Sequence, residues 1–470
     1  MSGLRPSGRP FNVRVHDALN DDQLRAALTT VTARFTAARL NALVALPDSD
    51  AVRDHARRIR AHTLRKLDVY LSQFVESVEA AGGHVFWARD AQEANAYVTD
   101  LARERGVRLV VKSKSMLTEE IGLNRALEAA GVEVAESDLA EYIIQLAGER
   151  PSHIVVPAVH KTAKQVGELF HEKLGTRPTD DPAALNATAR SNLRETFLRA
   201  DMGITGVNFG VAESGTICLV TNEGNGRLVT SVPRLHVAMM GIERLVPGLQ
   251  DLAVMLQLLA RNATGQKATV YTSLLTGPRR PGEPDGPEEL HVVLVDNGRT
   301  RTLAGELAEI LYCIRCGACL NGCPVYREIG GHAYGSTYPG PVGAVVTPAL
   351  GGVGAWAELP HASSLCGVCR EVCPVRIDLP SLLLKLRDEG TRAGHRPLWL
   401  AVGLKLYAWA VCRPALFRLG GRLASALTRL VGRGDWLRRL PPPLSAWTAS
   451  RDFPPLAKQD FVAAWREKQK

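Results

Sequence analysis

Seven of the nine cysteines lie between Cys313 and Cys373. The first run is Cys313-x2-Cys316-x2-Cys319-x3-Cys323-Pro324, and the second is Cys366-x2-Cys369-x3-Cys373-Pro374. Three thiolates on one tight turn can each reach a different iron of a cubane. A fourth cysteine, one helical turn further on, points to the other cluster of a pair. By that exchange Cys313, Cys316, Cys319 and Cys373 hold one [4Fe-4S] cluster, and Cys323, Cys366 and Cys369 hold a second. The second run lacks its first cysteine, and Ser363 stands where that residue is expected. Ser363 or Ser364, a water or an external ligand could complete the second cluster. A three-iron [3Fe-4S] form would need no completion, and spacing does not choose between these. Zinc usually takes two separated CxxC pairs or mixed Cys/His sets, so these runs point to iron–sulfur chemistry and single-electron transfer.

Other residues carry weaker signals. Lys112-Ser113-Lys114-Ser115 follows an apolar run and precedes a helical pattern, a place where a parallel sheet can bind a carboxylate or phosphate. Glu213-Ser214-Gly215 and Asn222-Glu223-Gly224-Asn225-Gly226 are turns that could border a small-molecule pocket. His332, Tyr334 and Tyr338 follow the first cysteine run and could pack over a cluster. Cys218 and Cys412 read as packed thiols. There is no G-x-G-x-x-G fingerprint or Walker A motif, which disfavours nucleotide-driven chemistry.

The elements that must position these residues are legible as patterns. Residues 1–80 read as helical after a loose opening arm of about 20 residues. Strands are predicted at 84–88, 108–113, 132–137 and 153–158. They alternate with helices at 91–105, 118–130, 138–147 and 161–174, which argues a parallel sheet covered on both faces. A helix over 183–202 leads to a hairpin of 207–212 and 216–221. Closing strands follow at 269–275 and 290–296, separated by the Pro/Gly-rich loop 277–288. A helix over 303–313 runs into the cysteines.

The chain has 470 residues, 46% hydrophobic and 22% charged, an ordinary globular balance with room for several domains. The net charge is +9, yet residues 380–470 hold 17 Lys and Arg against 6 Asp and Glu. The positive excess therefore sits in the C-terminal tail. Within it, 397–433 mixes Trp, Leu and Phe with spaced Lys and Arg, a pattern for an interfacial helix or a packed partner surface. No apolar run reaches the length of a spanning helix, and the N-terminus has no apolar signal core. A cytoplasmic protein is expected, with peripheral contact at the inner membrane face as an option. Nothing beside the basic tail suggests nucleic-acid binding.

CIRCGACLNGCPVYREIGGHAYGSTYPGPVGAV and SSLCGVCREVCPVRIDLP resemble the LutB/YkgF family of lactate utilisation iron–sulfur proteins. VNFGVAESGTI, TNEGNGRL and VDNGR resemble it too, so the likeness spans roughly residues 60–400. The resemblance implies an α/β LUD domain of the NagB/RpiA/CoA-transferase-like type, followed by a small helical ferredoxin-like domain with two [4Fe-4S] clusters and a basic helical tail. The expected limits are a helical arm at 1–66, the LUD domain at 67–299, the iron–sulfur domain at 300–394 and the tail at 395–470. It assigns the same seven cysteines as ligands. The role implied is electron transfer in oxidation of L-lactate to pyruvate, with LutA-like and LutC-like partners. The competing expectation is that the LUD domain itself binds the hydroxy acid, and convergence of Lys112 and Glu213 on one pocket near the second cluster would favour it.

Overall fold

The computed structural model describes residue 4 and residues 7–395, 398–431, 436–441, 444–448, 451–459 and 461–469. The chain divides into two compact units, Met1–Ala393 and Gly394–Lys470.

The first unit contains ten strands: β1 His84–Ala88, β2 Leu109–Lys112, β3 Glu133–Glu136, β4 Met202–Gly206, β5 Phe209–Val211, β6 Thr216–Thr221, β7 Leu235–Gly241, β8 Leu245–Val246, β9 Tyr271–Leu275 and β10 Glu289–Val295. Six of them form a wholly parallel sheet in the order β1-β10-β7-β4-β2-β3. The other four form a sheet in the order β8-β5-β6-β9, in which β5 and β6 are the predicted antiparallel hairpin. β2 and β7 are buried at every position. That is why neither shows the alternation of a half-exposed strand. The fold is α/β, as the strand–helix alternation implies.

Several expectations fail for tertiary reasons. Residues 153–158 are not a strand. The buried His153 ring accepts N–H bonds from Val155 (3.0 Å) and Val156 (3.1 Å), so those donors are spent locally rather than on a ladder. The preceding residues are held by the cysteine region instead: the Tyr326 hydroxyl donates to the Ser152 carbonyl at 2.8 Å and His332 Nε2 donates to the Arg150 carbonyl at 2.7 Å. A Cβ on Gly331 would lie 1.8 Å from the Ser152 carbonyl oxygen, so only glycine permits this approach. The helix expected over 183–202 spans Pro182–Arg199, and Met202 already begins β4. The pattern also missed β7, which is central in the sheet. The helix expected over 118–130 breaks at Gly122, where φ is +70°. In place of a helix over 303–313 there are two short pieces, Arg299–Leu303 and the 3-10 turn Ala308–Tyr312.

Among the described residues the opening arm is ordered. Helix α1 (Phe11–Leu19) places Arg14 Nε 2.9 Å from the Ala333 carbonyl, and Leu4 is buried. Helices α2 (Asp22–Val44) and α3 (Ser49–Arg65) follow. They carry a row of arginines whose guanidinium groups bond backbone carbonyls near the cysteines. Arg39 Nη2 reaches Val372 O at 3.0 Å, and Arg53 Nη2 reaches Cys373 O at 2.9 Å. Arg57 pairs with Glu309 at 2.6 Å and also bonds the Arg376 carbonyl. Arg60 is buried and bonds Leu245 O at 2.8 Å, Leu311 O at 2.9 Å and the Glu243 carbonyl. Each loop carbonyl that accepts from a guanidinium is fixed without needing regular secondary structure.

In the second unit, helices Leu398–Val411 and Pro414–Val431 meet at a bend of 108°. Ser425 Oγ donates to Leu456 O at 3.2 Å, and Leu437 pairs with Phe453 in an isolated bridge. Among the described residues no single helix is long and apolar enough to cross a membrane; this bent pair passes only as two pieces. Residues 397, 432 and 433 of the expected interfacial segment lie outside the described residues, as do Pro442 and Pro443. Cys412, expected to be packed, is exposed.

Arg60 joins α3 to both the 243–245 turn and the approach to Cys313. Replacing it with Met leaves buried carbonyls without donors, so Arg60→Met is expected to destabilise the first unit by about 3 kcal/mol. Thermal unfolding of the two proteins measures this, and an unchanged midpoint would remove Arg60 from that role.

Candidate metal centre

The two cysteine runs fold as a repeat. Arg315 (φ +59°) and Leu365 (φ +55°) precede equivalent cysteines, and Gly317 (φ +78°) and Gly367 (φ +88°) follow them. A left-handed non-glycine residue costs about 1–2 kcal/mol, so two at equivalent places mark a conformation imposed by the surroundings. The first residue of each repeat is held alike: the Arg315 N–H donates to Cys313 Sγ at 3.3 Å, and the Leu365 N–H donates to Ser363 Oγ at 3.1 Å. Ser363 thus occupies the structural place of Cys313. At the far end of each run, Tyr326 N–H donates to Cys323 Sγ at 3.4 Å and Ile377 N–H to Cys373 Sγ at 3.3 Å.

Cys313, Cys316, Cys319 and Cys373 line one cavity. Its other walls are apolar or backbone, among them Ile154, Ile314 and Val342, with no charged side chain. Cys323, Cys366 and Cys369 form the second group. Burial raises the Cys369 thiol to about 12, with Cys323 and Cys366 adding to the effect. Cys366 is exposed, so this group lies nearer the surface. Burial also raises the Cys319 thiol, and its neighbours in this respect include Cys369, which links the two groups. Cys373 is pushed up to about 11, chiefly by burial. Free thiolates are disfavoured here, whereas thiols that bind iron release their protons to solvent and the resulting thiolates share their charge with the metal. With N–H groups already directed at the sulfurs, the donor set fits iron–sulfur clusters.

A cavity of about 400 Å³ adjoins the first cysteine group. It opens where β2, β4 and β7 end, at Ser113, Gly206 and Gly241. Ile154 and Ile314 line both cavities and form the partition between them. The segment that failed to be a strand therefore supplies a dividing wall. On one side stand Arg244 and Arg315, and the Arg315 guanidinium lies 4.4 Å from the Tyr338 ring centroid. Behind them is a buried ion network. Arg299 bonds Glu243 at 2.6 Å and Glu120 at 2.9 and 3.0 Å, while Tyr338 donates to Glu120 at 2.6 Å. Burial works to raise the Glu243 carboxyl, but Arg299, Arg244 and Arg315 outweigh it and hold it at about 2.

The expected site residues divide. Lys114, Ser113, Ser115, Asn222, Glu223 and Asn225 line the cavity. Lys112 does not: it is buried and pairs with Glu136 at 2.7 Å, an internal ion pair. Glu213 does not either, since its carboxylate accepts the Leu249 N–H at 2.8 Å at a helix start. The expected convergence of Lys112 and Glu213 is absent, and the cavity borders the first cysteine group rather than the second. Tyr334 is buried near Cys323 and Cys319, whereas Tyr338 serves the ion network and His332 is exposed on the Arg150 carbonyl. Cys218 is a buried strand thiol, raised to about 12 by burial. Arg244, Glu120 and Glu243 carried no sequence signal. Arg299 lay within VDNGR and Arg315 between two cysteines, positions at which a charge could have been weighed.

Three family models match in order along the chain: LUD domain over residues 71–295, 4Fe-4S dicluster domain over 309–377, and lactate utilisation protein B, C-terminal, over 389–470. The chain therefore carries an iron–sulfur domain. Lactate utilization protein B of Bacillus licheniformis is 46% identical over 98% of this chain and 97% of its own length. The proteins of that name from Macrococcus caseolyticus and Geobacillus thermodenitrificans are each 48% identical, over 97% and 98% of this chain and 97% of their own lengths. A crystal structure of a DUF162 family protein from Deinococcus radiodurans aligns with TM-score 0.27 and 16% identity, over 49% of this chain and 98% of that one. With full-length identity at this level and all three models in register, the chain belongs to the lactate utilisation protein B family.

Proposed function

We propose that the chain is an iron–sulfur electron carrier in the oxidation of L-lactate to pyruvate, working in a complex with LutA-like and LutC-like partners. The names of its relatives support the lactate assignment. The observation that carries the electron-transfer reading is the pair of neighbouring thiol groups built on one repeated loop. Bound there, the clusters supply one-electron transfer. Converting a hydroxy acid to a keto acid releases two electrons, and two one-electron centres match that number. In this reading Cys313, Cys316, Cys319 and Cys373 hold the first cluster. Cys323, Cys366 and Cys369 hold the second, with Ser363 Oγ as its fourth ligand by its equivalence to Cys313. The domain limits that go with it are 1–66, 67–299, 300–394 and 395–470.

Iron, acid-labile sulfide and electron paramagnetic resonance spectra of anaerobically purified protein test this. About eight irons and eight sulfides per chain are expected. Ser363→Ala should convert the second cluster to a three-iron form with its own spectrum, and Ser363→Cys should keep all eight irons. A four-iron second cluster in Ser363→Ala with an unchanged spectrum would remove Ser363 from the ligand set. Zinc without sulfide would end the carrier reading.

The tail is proposed to rest on an anionic membrane surface. Trp399, Leu406, Tyr407 and Trp409 on one helix, and Phe417, Leu423, Leu427 and Leu430 on the next, are more than half exposed. Lys405, Arg413, Arg418, Arg422 and Arg429 are interspersed. Apolar area beside cationic heads is what an interfacial helix presents. Full-length protein is expected to float with phosphatidylglycerol vesicles and much less with neutral ones, and Trp399→Glu with Trp409→Glu should abolish flotation. Equal flotation of the substituted protein would sink the membrane assignment.

A further inference from the structure

The cavity beside the first cysteine group is not used by the electron-carrier reading, and its lining carries Lys114, Arg244, Arg299 and Arg315 against the carboxylates of Asp138, Glu223 and Glu243. Arg315 Nε and Nη1 are shielded from solvent and have no hydrogen-bond partner among the described residues. The contact of Arg315 that is resolved is the face of Tyr338. Among the described residues Arg244 makes long contacts, 3.4 Å to the Cys313 carbonyl and 3.6 Å to Glu243. Glu243 is committed to Arg299 at 2.6 Å, and both oxygens of Glu120 are held by Arg299. Two arginines therefore face the cavity, where Glu243 bonds Arg299 closely and Arg244 only at long range, and Glu120 is held by Arg299. A shielded guanidinium without an acceptor is unfavourable, and such a group is completed by an anion. Arginine matches a carboxylate with two parallel N–H bonds.

The rest of the cavity fits a small organic acid rather than an inorganic ion. Its volume of about 400 Å³ lies within the usual range for small-molecule sites. Ile154, Ile314, Val220, Met239 and Leu259 give apolar walls, and Asn225 and Ser113 add neutral polar groups. The wall formed by Ile154 and Ile314 is shared with the cavity lined by Cys313, Cys316, Cys319 and Cys373.

We infer that this cavity is a binding site for a small carboxylate, with Arg315 and Arg244 receiving the carboxylate group and the ligand's carbon skeleton lying against the Ile154–Ile314 wall of the first cluster. The placement beside a cluster rests on the proposed function; the anion site itself stands on the arginines. Arg315 has two neighbours to serve, since it lies between two cysteines in sequence. A residue that only offsets cluster charge would alter the cluster's potential and leave carboxylate binding unchanged, which separates the two roles.

The experiment is calorimetric titration of the full-length, iron-loaded protein with oxalate and with pyruvate, alongside iron and sulfide content and electron paramagnetic resonance of the same samples. One ligand per chain is expected, with a change in the spectrum of one reduced cluster on binding. Arg315→Gln should weaken binding at least tenfold and Arg315→Lys by less. Should Arg315→Gln lose iron, Ala263→Phe decides instead. Ala263 lines the cavity from the end of helix Leu249–Ala263, outside the cysteine loops in sequence, and the larger side chain should block binding with the iron count unchanged. No saturable binding by iron-complete protein, or binding unaffected by Arg315→Gln and Ala263→Phe, overturns the inference. Binding by protein that lacks iron and sulfide would instead overturn the cluster assignment and leave the carboxylate site standing.

Discussion

The burial of clustered sulfur is the constraint on which the remainder depends. Seven thiols sit in two adjoining groups, and burial pushes those of Cys316, Cys319, Cys369 and Cys373 upward. The segments that hold such sulfurs are broken into single turns, among them Ala318–Asn321 and Val368–Glu371, because the cysteines must converge from one side. They pass through left-handed conformations at Arg315, Leu365 and Arg376 that a free chain avoids. Something else must keep them there. The arginines of α2 and α3 do this by gripping carbonyls of residues 371–373 and 311–312. An N-terminal segment with no chemistry of its own thus fixes the most demanding geometry in the chain.

The same constraint binds the α/β layer to the cysteine loops. Arg299 follows β10, Glu243 follows β7, and Glu120 lies in the helix after β2. Tyr338 reaches this trio from the cysteine side and carries Arg315 on its ring. A buried ion network of this kind is weak evidence of net stability, because desolvation offsets much of its attraction. Its effect is on placement. Moving the cysteine loops away would strand Glu120 without the Tyr338 hydroxyl and uncover the Arg299 guanidinium. The ends of the parallel strands and the first thiol group are consequently held on either side of a wall one side chain thick, made by Ile154 and Ile314.

How much of this could be read from the sequence follows from the range of each interaction. The cysteine runs were legible because their geometry is set by spacing within a few residues, and the structure brings the same sulfurs together. The parallel sheet was legible where strands were flanked by turns, as at β1, β2 and β3. β7 was not, since LHVAMMG follows a short helix, Asn225–Ser231, whose Asn/Gly-rich start reads as a turn, and contains residues of weak strand preference. Residues 153–158 carried a strand pattern, but His153 and the contacts from Tyr326 and His332 overrode it. Lys112 and Lys114 were indistinguishable as sequence. Two positions apart on one segment, one ended within an internal ion pair and the other, with its amine 2.7 Å from the Val155 carbonyl, at the cavity. Arg299, Glu120 and Glu243 are drawn from three separate parts of the chain, and no local pattern announces such a meeting.

The left-handed residue at position 315 ties these levels together. In the second repeat the equivalent position is Leu365, an apolar residue with the same backbone conformation. The loop geometry therefore does not require arginine; either side chain satisfies it. Nor does stacking on Tyr338 require it, because an apolar side chain also packs on an aromatic face. What distinguishes the first repeat is that its residue at this place faces the α/β layer, with Glu243 and Arg244 nearby, and lines the cavity at the strand ends. The two halves of the repeat share a backbone but differ at the position where one half meets the sheet, and the difference is a charge.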